Sequence, residues 1–305
     1  MRAFVRGKFN CLFALQSNAD LINDIVRRET HMQPIYEFGG EGQIINFALA
    51  NGFPQQTYIP LLQPLTEQYR VVSLLPRPLW SGESVPPKKQ DWRKLFGQDL
   101  INALNAYDLH DVILVGHSFG GIASIIAAAS VPERVKGLIL LDPTIMSPSF
   151  FWFLWGVQLL GLETPLAKRA LKRQIHFDSA ESAYEKFKPK RLFADWSDEA
   201  VRHYAESMIP DGDQVTLAWS REWEAYVFDT IYTGIWRILP KLRGKMPILV
   251  VRGDESDTFL ESSAKKVQRI LPEATYKEIV GHGHLFPHSA PDQTRDIMME
   301  WLGTL

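Results

Sequence analysis

Residues 112–121 read VILVGHSFGG. The apolar run at the start has the length of a buried strand, and it stops at Gly116. Ser118 follows two positions later, and Gly120 allows a helix to begin very close to the end of the strand. This Gly-x-Ser-x-Gly pattern between a strand and a helix predicts a tight turn that presents the serine hydroxyl at the edge of a sheet. We therefore predict that Ser118 is a nucleophile.

The rest of the chain alternates apolar runs with amphipathic stretches, which is typical of an α/β fold with a mostly parallel central sheet flanked by helices. The predicted strands are Ile35–Phe38, Gln43–Ala50, Arg70–Leu75, Asp111–Val115, Gly137–Leu141, Pro247–Val251 and Thr275–Val280. The first two strands flank Gly39, Gly40 and Gly42, which predicts a hairpin. The predicted helices are Trp92–Tyr107, Gly120–Ser130, Glu261–Ile270 and Asp292–Leu302.

A stretch of about a hundred residues in the second half lacks any clear strand pattern and holds six of the nine tryptophans. We predict that it forms a helical cap, inserted between strands 6 and 7 of the fold. The predicted domains are a weakly ordered N-terminal leader at residues 1–31, an α/β core at 32–143 and 245–305, and the cap at 144–244.

The predicted cap carries an apolar stretch, FFWFLW at residues 150–155, followed by basic residues between Lys168 and Arg173. A lid that receives an acyl chain or touches a lipid surface has this composition. Aromatic stripes are also common where a helix packs on a core, and both interpretations stay open. The tryptophans predicted to contact substrate are Trp152, Trp155, Trp219 and Trp223.

Composition excludes several classes of protein. A net charge of −2 over 305 residues gives no basic surface for a nucleic acid. The single cysteine, Cys11, excludes an internal disulfide and fits a cytoplasmic protein. No stretch approaches the roughly 20 apolar residues of a membrane span. The histidines near the C-terminus lack a carboxylate or cysteine cluster at ligand spacing, so we predict no metal.

A serine nucleophile requires a base and an acid that orients the base. His282 and His284 lie in a glycine-flanked loop after the last predicted strand, which can reach the edge of the sheet that carries Ser118. His117 is expected to point away from the site and pack beneath the turn. Three candidate acids follow strand ends: Asp142, Asp254 and Asp257.

The oxyanion of an acyl-transfer reaction requires two backbone N–H donors. One is predicted to be the amide of Phe119, the residue after the nucleophile, at the N-terminus of a helix. The other is predicted to be Phe53 in the loop Asn51–Pro54, where Gly52 permits a sharp turn and proline has no N–H.

These motifs together resemble the α/β-hydrolase family, over about Ile35–Leu302. The loop at 51–54 is similar to the family's His-Gly-x-x oxyanion loop, with Asn51 in place of histidine. The sequence GHGH ending at His284 resembles the family's Gly-x-Gly-His, which implies that His284 is the base. The sequence GDESD ending at Asp257 resembles Gly-x-x-Ser-Asp, which implies that Asp257 is the acid.

The resemblance implies a cofactor-independent serine esterase with the triad Ser118, His284 and Asp257. Its substrate would be a carboxylic ester of a small or medium apolar molecule, hydrolysed through an acyl-enzyme. The same triad could instead serve a C–C bond or amide hydrolase or a lyase, because a fold does not specify a substrate. A non-enzymatic ligand-binding protein on a hydrolase scaffold is a further alternative.

Overall fold

A computed structural model describes residues 33–83, 85 and 93–305, without the side chains at 93, 94, 155 and 158. The predicted leader at 1–31 lies outside the described residues. No helix in the described ranges is long and apolar enough to cross a membrane.

The described residues contain ten strands, seven of which come from the apolar runs. They are β1 (Ile35–Gly39), β2 (Ile44–Ala48), β3 (Arg70–Leu74), β4 (Val112–His117), β5 (Val135–Leu141), β6 (His176–Phe177), β7 (Ile209–Asp211), β8 (Gln214–Thr216), β9 (Ile248–Gly253) and β10 (Thr275–Ile279). Seven of them make the main sheet in the order β1-β3-β2-β4-β5-β9-β10. All neighbours are parallel except β1, which runs antiparallel to β3. The predicted mostly parallel sheet is confirmed, and every residue of β4 is buried, as expected of a central parallel strand.

The predicted hairpin between the first two strands is wrong. Strand β3 lies between β1 and β2, so the two are not neighbours. Gly40 has φ +80°, and a Cβ there would lie 2.0 Å from the carbonyl oxygen of Tyr69. The glycines therefore let the chain pass close to the turn that precedes β3.

Helices flank the sheet. They are α1 (Ile59–Leu62), α2 (Gln98–Ala106), α3 (Phe119–Ser130), α4 (Pro148–Leu159), α5 (Pro165–Leu171), α6 (Ala180–Phe187), α7 (Asp198–Glu206), α8 (Arg221–Asp229), α9 (Ile235–Ile238), α10 (Glu261–Ile270), α11 (Phe286–Ser289) and α12 (Pro291–Leu302). A π-helical turn, Arg93–Gly97, leads into α2. The helices predicted at 120–130, 261–270 and 292–302 are confirmed by α3, α10 and α12.

Residues 144–244, hereafter the inserted segment, join β5 to β9. Five described strands of the main sheet precede this segment, so it follows the fifth strand and not the sixth. It contains α4 to α9, but also a three-stranded sheet in the order β6-β8-β7. These strands have two or three residues each, too few for an alternating pattern to be detected in the sequence.

Candidate active site

Ser118 occupies the turn between β4 and α3. Its backbone has φ +56° and ψ −118°, a conformation that costs energy for any residue with a Cβ. A Cβ on Gly116 would lie 2.5 Å from the carbonyl oxygen of Gly120, and one on Gly120 would lie 2.1 Å from that of Ala48. The two glycines are therefore required by the close approach of strand and helix, and the tight turn predicted from the sequence is present.

His284 lies beside Ser118, in the loop after β10. Its Nε2 is 2.8 Å from Ser118 Oγ. The other candidate base, His282, directs its Nδ1 to the Ser289 hydroxyl at 2.9 Å. Of the two histidines, the structure brings His284 to the nucleophile.

The carboxylate that contacts His284 belongs to Asp142. Its Oδ2 is 2.6 Å from His284 Nδ1, and the side chain is completely buried. The same carboxylate accepts hydrogen bonds from the Ser256 hydroxyl at 2.5 Å and from the backbone N–H of Gly253 at 3.1 Å. Three donors therefore fix its position.

The prediction that Asp257 contacts the base is corrected by this geometry. Asp257 is exposed and accepts a hydrogen bond from the Thr258 hydroxyl at 3.2 Å. The turn after β9 directs Ser256 inward, so the serine of the Gly-x-x-Ser-Asp motif faces the site and the aspartate faces solvent. The third candidate, Asp254, accepts from the backbone N–H of Gly281 at 2.7 Å and anchors the histidine loop.

A signal for Asp142 exists in the sequence. It directly follows β5, and β5 is the parallel neighbour of β4, with His117 paired to Leu141. The carboxyl ends of parallel neighbours meet at one edge of a sheet, so Ser118 and Asp142 are adjacent there. Asp142 also has φ +42°, a rare backbone conformation outside glycine that is concentrated at functional sites.

Thr144 is a site residue that the sequence did not indicate. Its Oγ1 lies 3.1 Å from Ser118 Oγ, and its backbone N–H donates to the Ser118 carbonyl at 3.2 Å. The serine hydroxyl therefore has two neighbours, the Thr144 hydroxyl and the His284 imidazole.

Neutral, buried histidines surround the base. Nε2 of His117 donates to the His284 carbonyl at 3.0 Å, because a carbonyl can only accept, so Nδ1 accepts from the Tyr58 hydroxyl at 2.8 Å. Burial, reinforced by the other histidines, holds the pKa of His117 well below its usual range. His288 bonds the Thr57 carbonyl at 3.2 Å, and burial lowers its pKa to about 3. His117 is completely buried, but its ring lies 5.2 Å from that of His284, so the prediction that it points away from the site is wrong.

The loop predicted to supply an oxyanion donor follows β2. The Phe53 N–H makes a long hydrogen bond to the Ala50 carbonyl, at 3.3 Å. Phe119 is the first residue of α3, directly after Ser118. The roles of these two amides as oxyanion donors stay a prediction.

Charged and polar side chains of the inserted segment pack against this loop. The Arg173 guanidinium forms an ion pair with Glu224 and donates to the Tyr204 hydroxyl at 2.6 Å. Tyr204 in turn donates to the Gly52 carbonyl at 3.4 Å, and Asn51 donates its amide N–H to the Glu224 carbonyl at 3.0 Å. Burial raises the pKa of Glu224, although the nearby Arg173 opposes the shift. The conformation of the loop therefore depends on the inserted segment.

The four predicted tryptophans differ in their surroundings. Trp219 is buried with its ring edge-on to Phe119, at 6.2 Å between centroids. Trp223 is buried against Phe96, also at 6.2 Å. Trp152 is 73% exposed on the surface, and its contact with substrate also stays a prediction. The Trp155 side chain lies outside the described part of the chain. For Trp219 and Trp223, contact with substrate stays a prediction.

The arrangement at Ser118 can transfer a proton. Its hydroxyl is hydrogen-bonded to the His284 imidazole, which can accept the hydroxyl proton at Nε2. The Asp142 carboxylate is hydrogen-bonded to Nδ1 of the same ring and holds the imidazole in position. Within the described ranges, no group of three or more histidine, cysteine or acidic residues could hold a metal ion.

Comparison with known proteins identifies the family of this chain. The sequence model of a protein family described as "Alpha/beta hydrolase family" matches residues 47–297. A human (lyso)-N-acylphosphatidylethanolamine lipase is 26% identical over 64% of the chain, which spans 56% of that relative's length. A 2-(acetamidomethylene)succinate hydrolase from Mesorhizobium japonicum is 24% identical over 84% of the chain and 86% of its own length. The crystal structure of an E-2-(acetamidomethylene)succinate hydrolase superposes with a TM-score of 0.72 at 19% identity, covering 88% of this chain and 94% of that one.

Proposed function

Since the chain belongs to the alpha/beta hydrolase family, we propose that it is a serine hydrolase that cleaves a carboxylic ester through an acyl-enzyme. The observation that carries this proposal is the hydrogen-bonded series Ser118, His284 and Asp142, with contacts of 2.8 and 2.6 Å. Asp142 here replaces Asp257, which the sequence motif favoured. We place an ester of a small or medium apolar molecule first among substrates, because relatives of this chain are named esterases and lipases.

In the proposed reaction, Ser118 Oγ attacks the ester carbonyl carbon while His284 Nε2 takes the hydroxyl proton. The buried Asp142 carboxylate holds the imidazole in the required tautomer and stabilises the imidazolium. The tetrahedral intermediate collapses as His284 gives the proton to the departing alcohol oxygen, which leaves an acyl group on Ser118. Water, deprotonated by the same histidine, then attacks the acyl carbon. The second tetrahedral intermediate collapses as His284 returns the proton to Ser118 Oγ, which releases the carboxylic acid and restores the enzyme.

The amides of Phe119 and Phe53 are proposed to stabilise the negative oxygen of each tetrahedral intermediate. The Phe119 amide opens α3, so the positive end of the helix dipole adds to the effect. For Phe53 to donate to substrate, its long bond to the Ala50 carbonyl must open or be shared. The contacts of Tyr204 and Glu224 with this loop support a role of the inserted segment as a cap that holds the oxyanion loop in place.

Turnover of a p-nitrophenyl ester series tests the proposal. Ser118→Ala should lose at least about a thousandfold in kcat, since removal of the nucleophile of a triad costs that much or more. A fluorophosphonate probe should label the wild type and leave the Ser118→Ala protein unlabelled. Ser130→Ala is the matched control, because that serine lies at the far end of α3 and bonds only a helix carbonyl, at 2.7 Å.

Two outcomes would overturn the proposal. Normal ester turnover by the Ser118→Ala protein would show that Ser118 is not the nucleophile. Labelling by the probe combined with cleavage of matched anilides, and with no ester turnover at any chain length, would keep the triad but exclude the ester as its substrate.

A further inference from the structure

The inserted segment exposes a concentrated set of large apolar side chains. Six of the eleven large apolar side chains that are exposed in the described residues fall between positions 152 and 166, with exposed fractions of 43% to 73%. We call them the apolar ridge: Trp152, Phe153, Leu159, Leu160, Leu162 and Leu166. Single exposed apolar side chains are normal on a protein surface, whereas six within fifteen positions of the sequence are a concentrated set.

The ridge stands on an anchored scaffold. Leu154 and Ala167, which lie within the same stretch, are fully buried. The backbone N–H of Thr164 donates to Asp229 at 2.8 Å, and the Thr164 hydroxyl caps α5 by accepting from the Ala167 N–H at 3.2 Å. The ridge is therefore flanked by buried or hydrogen-bonded positions on both α4 and α5.

Helix α4 has no charged residue in its twelve positions, although half of the ridge lies on it. A surface helix of a globular protein normally carries charged residues on its outer side. An uncharged outer side is expected where the helix contacts an apolar phase or a partner.

Basic residues adjoin the ridge. Lys168, Arg169 and Lys172 are exposed, and none of them forms an ion pair within the part of the chain that the structure describes. Arg169 lies one turn beyond Leu166 on the same face of α5. Glu163 is the one acidic residue between positions 148 and 172. Apolar side chains with adjoining cations complement a lipid surface that carries negative headgroups.

We propose that residues 152–172 dock the protein on anionic phospholipid, with the ridge in the boundary between headgroups and acyl chains and the three basic residues on the phosphates. The chain enters α4 at Pro148, four residues after Thr144, whose hydroxyl lies 3.1 Å from Ser118 Oγ. The docking proposal concerns binding and does not rest on the proposed function.

Sedimentation with vesicles tests the ridge. The full chain carries Ser118→Ala, so that lipid is not consumed, and the vesicles are phosphatidylcholine with about one third phosphatidylserine. Replacement of Leu159, Leu160 and Leu162 by serine should lower the partition coefficient by roughly tenfold or more, because each leucine loses its transfer into the lipid. A matched control replaces two leucines that are exposed elsewhere, Leu192 and Leu260, and should bind normally.

The basic residues are tested in the same assay. Replacement of Lys168, Arg169 and Lys172 by glutamine should weaken binding by roughly tenfold or more on the anionic vesicles and little on pure phosphatidylcholine. Added salt should weaken the wild type on anionic vesicles and have little effect on this variant.

Three results would overturn the docking proposal. The first is no sedimentation of the wild type with anionic vesicles. The second is unchanged binding by the ridge variant, which would assign binding to another segment, such as residues 1–32, present in every variant. The third is a wild-type dimer that does not bind vesicles and that the ridge substitutions convert to a monomer. In that case the ridge would be a contact between two copies of the chain. Thermal unfolding of each variant verifies that the fold is retained.

Discussion

Substitution of Asp142 by asparagine should reduce kcat by about a thousandfold to ten-thousandfold, the cost of replacing a triad aspartate with its amide. The carboxylate accepts hydrogen bonds from His284, Ser256 and Gly253. An asparagine has one acceptor oxygen, so its NH2 group must face at least one of these donors or force the imidazole into the wrong tautomer. The variant also loses the charge that stabilises the imidazolium.

The expected loss corresponds to at least about 4 kcal/mol of transition-state stabilisation, since each tenfold change in rate is about 1.4 kcal/mol. Initial rates on a p-nitrophenyl ester give kcat and KM separately, and KM should change little because Asp142 is buried behind the histidine. The matched control is Asp257→Asn, which alters an exposed carboxylate and should retain near wild-type kcat.

The opposite pattern would refute this assignment. If Asp257→Asn lost activity and Asp142→Asn kept it, then the acid would be the one implied by the Gly-x-x-Ser-Asp motif. Because Asp142 is buried, circular dichroism and labelling by a fluorophosphonate at high concentration should verify that the asparagine variant is folded. Ser256→Ala offers a milder test, with an expected loss of about fivefold to tenfold from one hydrogen bond to the carboxylate.

Three other perturbations follow from the surroundings of the site. The pKa of His288 is about 3 in the folded protein and 6.5 when unfolded, so its stabilising contribution is present above pH 6.5 and is lost as pH falls toward 3. In urea titrations, lowering the pH from about 7.5 to about 5 should therefore cost the wild type about 2 kcal/mol that a His288→Phe variant does not lose. Glu224→Gln should lower kcat about tenfold with a smaller change in KM, because the loop that carries Phe53 loses its ionic support, and Glu224→Asp should restore part of kcat. Thr144→Val should lower kcat/KM about fivefold, the cost of one neutral hydrogen bond to Ser118, and an unchanged value would exclude Thr144 from positioning the nucleophile.

The central part of the site could be predicted because local physics requires it. The approach of β4 to α3 leaves no room for a Cβ at Gly116, and the approach of α3 to the end of β2 leaves none at Gly120, so the Gly-x-Ser-x-Gly pattern encodes the turn directly. The position of the base could also be predicted from the sequence. The glycine-flanked loop that carries His282 and His284 follows the last strand, and the edge of the sheet at which that strand ends is the one that carries Ser118.

The acid could not be assigned by motif because the deciding quantity is a direction in space. In the turn after β9, a reversal of the chain puts Ser256 inside and Asp257 outside, and the residue types alone fit both orientations. The order of the strands in the sheet also determines which acid reaches the base. Strands β4 and β5 pair side by side, and this places Asp142 beside Ser118. That order depends on pairing between distant segments, as does the insertion of β3 between β1 and β2.

The contacts of the inserted segment were the least accessible to sequence reasoning. Arg173 follows α5, whereas Tyr204 lies on α7 and Glu224 on α8, so the three meet only after the segment has folded against the loop at 51–54. Trp152 was predicted to contact substrate from its aromatic character, but whether it is buried or exposed depends on which side of α4 meets the core. An uncharged helix has no polar side from which that could be read.

The most direct test of the central claim is the covalent intermediate. The enzyme is mixed with a p-nitrophenyl ester, quenched in acid within the first turnover, digested, and its peptides are analysed by mass spectrometry. The account predicts the acyl group of the ester on Ser118, within the peptide that contains VILVGHSFGG, with less acylation in the Asp142→Asn protein at the same time point. An acyl group on another residue, or rapid turnover by the wild type with no covalent species at any quench time, would contradict it.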